Sequence, residues 1–169
     1  KLALDAGLYV FSREASADFL AEGFVGYTAS MELNHKELTH MENSQAELML
    51  YGYAPLMVSA QCVVKTLKGC TAKREQLLMK DRTGAGLPLK THCSFCYNTI
   101  LNPLPLSLFG SEEAVKELNL TSLRLSFTRE GKEETKKILE AFAASYKEGR
   151  IVAEPVKDFT RGHFRRGVE

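Results

Sequence analysis

Short apolar runs of strand length alternate along this chain with segments of helical period, and the alternation breaks once, in the middle. Residues 2–11 read as a buried strand. Ser12 then stands as the N-cap of a helix over 13–22, with Ala15, Phe19 and Leu20 on one face and Gly23 closing it. A second strand is expected over 24–29, a short helix over 33–41, and a near-continuously apolar strand over 47–53. Beyond the break, 97–101 reads as a strand and Ser111 caps a helix running to Leu118. Residues 120–127 form a strand alternating Leu123, Leu125 and Phe127 with polar residues. The clearest helix is expected over 132–147, where Thr135, Ile138, Leu139, Phe142 and Tyr146 make an apolar stripe. Repeated units of this kind imply a parallel sheet with helices outside. The expected fold class is therefore α/β: four or five such units suit half of an eight-unit barrel or a small open sheet, and the missing start favours the C-terminal half of a TIM-barrel-like (β/α) domain carrying an insertion. The chain opens one step before a strand-like run, with neither a start methionine nor a leader pattern, so it is expected to begin inside a longer protein.

The break covers 55–96 and has no helical period. Within it, 76–80 and 87–90 alternate around a glycine-rich turn over 81–86, which predicts a β-hairpin. All four cysteines, Cys62, Cys70, Cys93 and Cys96, flank that hairpin. Cys93 and Cys96 have the two-residue spacing that lets two thiolates reach one metal, and Gly69 allows a tight turn before Cys70. Thiolates select zinc or an iron–sulfur cluster, and His92 beside Cys93 is a further candidate ligand. The competing reading is four buried thiols packing as small hydrophobes. Three regions follow: βα units over 1–54, the cysteine-flanked hairpin insertion over 55–96, and further βα units with a basic end over 97–169. Clustered cysteines without a secretory leader fit a reducing, cytoplasmic compartment.

A net charge of +1, with 44% hydrophobic and 25% charged residues, gives no bulk attraction to nucleic acid or membrane. The longest apolar stretch, 48–59, holds Gly52 and Pro55 and is too short to span a bilayer. No nucleophile elbow, paired zinc-protease histidines or phosphate loop is present. Barrel chemistry sits at the C-terminal ends of strands, which points to Tyr51, Asn98, Asn102, Arg124 and Ser126. Each also reads as a satisfied structural hydrogen bond. The chain's end differs. Arg161, His163, Arg165 and Arg166, interleaved with Phe159 and Phe164, suit an RNA partner through charge and stacking. The alternative is a solvated loop whose two phenylalanines cover the barrel end. His35 and His40 read as surface residues.

Several separated blocks carry a resemblance. They are the stretch from Glu47 through Tyr51, Gly52, Pro55 and Ser59 to Cys62; the Gly69-Cys70 step; Leu78-Met79-Lys80-Asp81-Arg82; Thr91-His92-Cys93 leading to Tyr97-Asn98; Ser122 to Phe127; and Phe159 to Phe164. Together they resemble the core of the collagenase-like peptidases of family U-32, over nearly the whole chain. The resemblance implies a barrel-like fold and a historic label of protease, a hydrolase. It also implies relatives that hydroxylate transfer RNA, ribosomal RNA or quinone rings, some with a four-iron four-sulfur cluster on cysteines. Carried over, Cys62 and Cys70 match the family's cysteine region, and Cys93 and Cys96 make up the ligand count. The chain departs from the pattern at Pro55, where many members carry cysteine, and at Tyr51, where histidine is common. An enzyme of RNA modification dependent on a cluster or on zinc is thus expected. The alternatives are a genuine peptidase with a protein substrate, or a metal-stabilised module without catalysis. Half a barrel leaves two sheet edges open and exposes Leu4, Val25, Leu48 and Leu125. The isolated chain is therefore expected to self-associate as a two-fold dimer, unless the hairpin and the basic tail cover the edges.

Overall fold

The computed structural model describes residues 1–70, 72–73 and 76–166. It is a mixed α/β structure with two sheets, in two units: Lys1–Gly52 with Leu106–Glu169, and Tyr53–Pro105.

The first unit is built around one buried strand, β2 (Ala46–Gly52). A parallel neighbour, β8 (Ser122–Ser126), runs along one edge with Leu48 against Leu123 and Gly52 against Ser126. The other edge is shared. β1 (Tyr27–Thr28) pairs in parallel with the start of β2, and β7 (Leu106–Ser107) pairs antiparallel with its end. A strand has only two edges, so β1 and β7 must follow each other along the same one. Helices α1 (Arg13–Ala21), α2 (His35–Thr39), α4 (Glu112–Glu117) and α5 (Lys132–Phe142) fill the connections. Their ends follow local chemistry. Ser12 Oγ accepts from the Ala15 amide, and Asn34 with Glu37 forms a reciprocal capping box. Leu38, Leu48, Leu50, Tyr51, Leu108, Phe109 and Ile138 centre the core. Gly52 cannot be replaced: at φ 148° it brings the backbone so close to β8 that a Cβ would stand 2.7 Å from the Ser126 carbonyl oxygen.

The second unit is a four-stranded antiparallel sheet in the order β3-β6-β5-β4. Its strands are β3 (Pro55–Ser59), β4 (Gln76–Lys80), β5 (Gly86–His92) and β6 (Tyr97–Leu101), with α3 (Val63–Lys68) between β3 and β4. β4 alternates exposed and half-buried positions, the signature of a sheet with one wet face.

Several expectations change. Residues 2–11 do not form a strand. Only Leu4 bridges Tyr27, and a 3-10 turn over Ala6–Leu8 follows, with Tyr9 in the left-handed region. That expectation rests on a mostly apolar run that Asp5 and Gly7 interrupt, and a run without clear alternation does not specify period. Residues 63–68 form a helix where no helical period was read, because six residues are too few to display one. The inserted unit is wider than 55–96, since β6 pairs with both β3 and β5 and so belongs to the second sheet. The final helix stops at Phe142 and continues as a π-helical turn over Ala143–Lys147. Of the apolar residues expected on an open inner face, Leu4 and Leu48 are buried, Leu125 is half-buried, and Val25 is exposed. No barrel closes among the described residues, and no helix among them is long and apolar enough to cross a membrane.

Candidate functional site

Two expected residues stand at the C-terminal ends of β2 and β8, where sheets of parallel strands place ligands. Tyr51 is fully buried, and its hydroxyl donates to Glu130 Oε1 at 3.0 Å. Glu130 is held in turn: its Oε2 accepts the Thr128 amide at 2.6 Å and the Arg129 amide at 2.9 Å. Ser126 closes β8 against Gly52. Tyr51 thus sits beside a carboxylate aimed by backbone, an arrangement that orients a phenol and keeps its oxygen hydrogen-bonded.

Arg124 lies nearer the strand starts, in an ion network. It contacts Asp5 at 2.5 Å and Glu47 at 2.6 Å, and donates to Thr28 Oγ1 at 3.0 Å. The Arg124 hydrogen bond holds the Asp5 carboxyl below its usual range. Each nitrogen of this guanidinium reaches a protein acceptor, which suits a clamp between β1, β2 and β8.

A second polar cluster gathers around Arg161. Its guanidinium donates to the Ser107 carbonyl at 2.6 Å, approaches Glu154 Oε2 at 3.3 Å and lies 4.5 Å over the Phe159 ring. Ser107, buried on β7, donates its hydroxyl to Glu154 Oε1 at 2.6 Å. The 3.3 Å contact lacks hydrogen-bond geometry, which leaves Glu154 Oε2 without a hydrogen bond. Burial pushes the Glu154 carboxyl up, against the Ser107 and Arg161 contributions. Glu112 goes the other way. Burial would raise it, but the Ser145 hydroxyl at 2.6 Å and the Gly110 amide at 2.8 Å together hold it below its ordinary value. The Tyr146 phenol is pushed up, first by burial and then by the Glu112 charge.

Glu112 is also part of a cleft of about 920 Å³ in the first unit. Lys36, Lys116, Arg150 and Arg165 line it, with His35, Ser145 and Phe164. The expected basic end therefore divides. Arg161 is committed to Glu154, Arg165 lines the cleft, and His163 and Arg166 are exposed in the closing turn. Phe164 is buried in the core and does not offer a stacking face.

In the second unit, Cys93 and Cys96 occupy the loop between β5 and β6, and Cys96 takes the left-handed conformation at φ 54°. Cys93 Sγ lies 3.0 Å from the Lys73 carbonyl, so Lys73 stands beside that loop. Cys62 precedes α3 and is half-buried, while Cys70 is exposed. Two thiols on one hairpin loop fit half of a soft-metal site. Among the described residues, however, no three His, Cys, Asp or Glu side chains gather in a group that could hold a metal. His92 bonds Thr99 and stacks on Tyr97 at 4.2 Å. Asn98 is buried and donates to the Gln61 carbonyl at 2.5 Å, tying β6 to the residue before Cys62. Asn102 donates to the Leu104 carbonyl in a local turn.

Glu112, Glu130 and Glu154 escaped the sequence reading. Each has a side-chain partner remote in sequence, Ser145, Tyr51 and Ser107 in turn, and single glutamates in polar stretches look like solvated surface. Glu130 alone left a signal, three residues beyond an apolar strand end. No family model matches the chain, and neither a curated protein nor a solved structure matches it.

Proposed function

We propose that the chain is the C-terminal half of a barrel-type enzyme of the collagenase-like U-32 kind, which carries a metal or iron–sulfur centre and acts in RNA modification. The observation that carries this reading is the Cys93–Cys96 loop with Lys73, three residues beyond Cys70, alongside it. Soft thiolates in an exposed hairpin loop bind zinc or iron–sulfur clusters well. Cys93 and Cys96 would hold the group first, and Cys62 and Cys70 would complete the set as it binds, since metal binding and local folding are coupled. The parallel succession of Leu4, β1, β2 and β8 supports the half-barrel part of the proposal. Exposed Arg165, Arg166 and His163 support an RNA partner. The cytoplasm, where thiols stay reduced, suits such a site.

The test is anaerobic purification and reconstitution, with iron, sulfide and zinc quantified beside Cys93→Ser. Near-stoichiometric iron with sulfide supports the cluster, and stoichiometric zinc supports a zinc centre. In either case, Cys93→Ser should lose most of the metal. A chain that takes up neither, or a Cys93→Ser variant that retains the full content, sinks the proposal.

A further inference from the structure

The cleft in the first unit is not accounted for by a thiolate centre, and its lining is unevenly charged. Four cations, Lys36, Lys116, Arg150 and Arg165, face two carboxylates, Glu112 and Glu113. Arg150 has its own partner, Glu148, at 2.6 Å. Among the described residues, no carboxylate lies within ion-pair distance of Lys36, Lys116 or Arg165. Arg165 stands close enough to Arg161 for their like charges to interact. An excess of cations over carboxylates around a concave surface concentrates an anion there.

Glu112 narrows the class of anion. Its Oε1 accepts from Ser145 and from the Gly110 amide. A carboxylate offers about four acceptor positions, so a ligand's hydroxyls can still reach it. A fixed carboxylate repels a bare phosphate but accepts well from hydroxyl groups. A ligand that pairs a phosphate with vicinal hydroxyls satisfies both ends. The cations take the phosphate, and Glu112 takes the hydroxyls. Inorganic phosphate satisfies one end alone. A volume of about 920 Å³ is ample for such a molecule.

We propose that this cleft is a binding site for a sugar phosphate, gripped by Lys36, Lys116 and Arg165 through its phosphate and by Glu112 through its hydroxyls. The source is either a free sugar phosphate or the same group within a mononucleotide. This site shares only Arg165 with the RNA reading above and no residue with the cysteine loop. It stands or falls separately from the metal centre.

Calorimetric titration of the full chain with ribose 5-phosphate, AMP, ribose and inorganic phosphate tests it. Ribose 5-phosphate should bind saturably, about tenfold more tightly than inorganic phosphate, and ribose alone should show no binding. AMP binding equal to ribose 5-phosphate marks a site that reads only the sugar phosphate. Tighter AMP binding marks the mononucleotide as the source. Lys36→Ala and Arg165→Ala, both exposed positions that leave the fold alone, should each weaken binding several-fold. Glu112→Gln should narrow the gap between ribose 5-phosphate and inorganic phosphate. Three results would overturn the proposal: no saturable binding of either sugar phosphate, equal binding of inorganic phosphate, or unchanged binding in both cation variants.

Discussion

The two units solve the stability problem differently. The first buries a continuous cluster in which β2 contributes Leu48, Met49, Leu50 and Tyr51, and the helices contribute Val115, Leu118 and Ile138. The second contributes nothing to that cluster. Its fully buried positions include Leu89, Thr91 and Asn98, two of them polar, while Leu56, Met57, Val58 and Leu78 stand exposed. The first unit is thus held by apolar burial. The second buries a smaller apolar set, Val64, Leu89, Ile100 and Leu101, and adds strand ladders and polar anchors such as Asn98 to Gln61. A small sheet with so thin a core gains most from a bound metal or a covered face. The four cysteines and the exposed apolar strand β3 lie in this same unit.

Core truncation is the strongest way to break the comparison. Phe109 is fully buried in the first unit and packs edge-on against Tyr146. Phe109→Ala should cost about 4 kcal/mol of stability in urea denaturation. Leu89→Ala, in the middle of β5, should cost less and act locally. Amide exchange should quicken in β4, β5 and β6, while protection in β2 is kept. If Leu89→Ala speeds exchange in β2 as much as in β5, the two units unfold as one, and the comparison is wrong.

Legibility followed the same division. In the first unit, apolar stripes are wide enough for period to speak. The Ser12 cap, the 13–21 helix, β2, β8 and the start of α5 all fall within a residue or two of their expected positions. In the second unit, the hairpin was legible from its glycine-rich turn, and Asp81 does organise that turn by accepting from Thr83 and Ala85. The pairing of β6 with β3 was not legible, because alternation along a strand names no partner. Site residues divide in the same way. The cysteines declare themselves by spacing. Tyr51 was legible from its place at a strand end, but its partner Glu130 lies across the fold, and no local pattern joins them. Arg161 looked like a free surface cation because Glu154, its partner, sits in the aperiodic stretch before it.

A smaller effect sharpens the account of the first unit's polar cluster. Glu154 binds its proton more tightly folded than unfolded, because burial raises its pKa above the ordinary glutamate value of about 4.5. Within the window between those two values, the folded state holds more protons than the unfolded one. Stability from this group is therefore full below the window and falls as pH rises through it, by at most about 1.4 kcal/mol per pH unit. Glu112, lowered by its hydrogen bonds, acts in the opposite sense and at lower pH: its contribution is lost as pH falls. Urea titrations from pH 4 to 8 on wild type and Glu154→Gln isolate the first effect. The wild type should lose ground to the variant as pH rises, whereas a stability difference that stays flat across the series would remove Glu154 from the account.

The smallest expected effect concerns Tyr51. Its ring packs against Phe127, with centroids 5.9 Å apart, and is fully buried, so Tyr51→Phe keeps the apolar contribution and removes only the hydroxyl. Glu130 would lose one donor but keep both backbone amides, so its carboxylate is not stranded. The cost should be about 1 kcal/mol, that of one buried hydrogen bond lost with its partner still solvated by other donors. If Tyr51 serves only the fold, that small loss is the whole effect. If it serves chemistry at the C-terminal ends of β2 and β8, RNA modification by the metal-loaded protein should fall by far more than the stability change implies, with RNA binding unchanged. Glu130→Gln separates the two further, since it removes the charge and its single amide oxygen can face either Tyr51 or the two backbone N–H groups, not both. Activity that survives both substitutions assigns the pair to packing and leaves the strand ends without a chemical role.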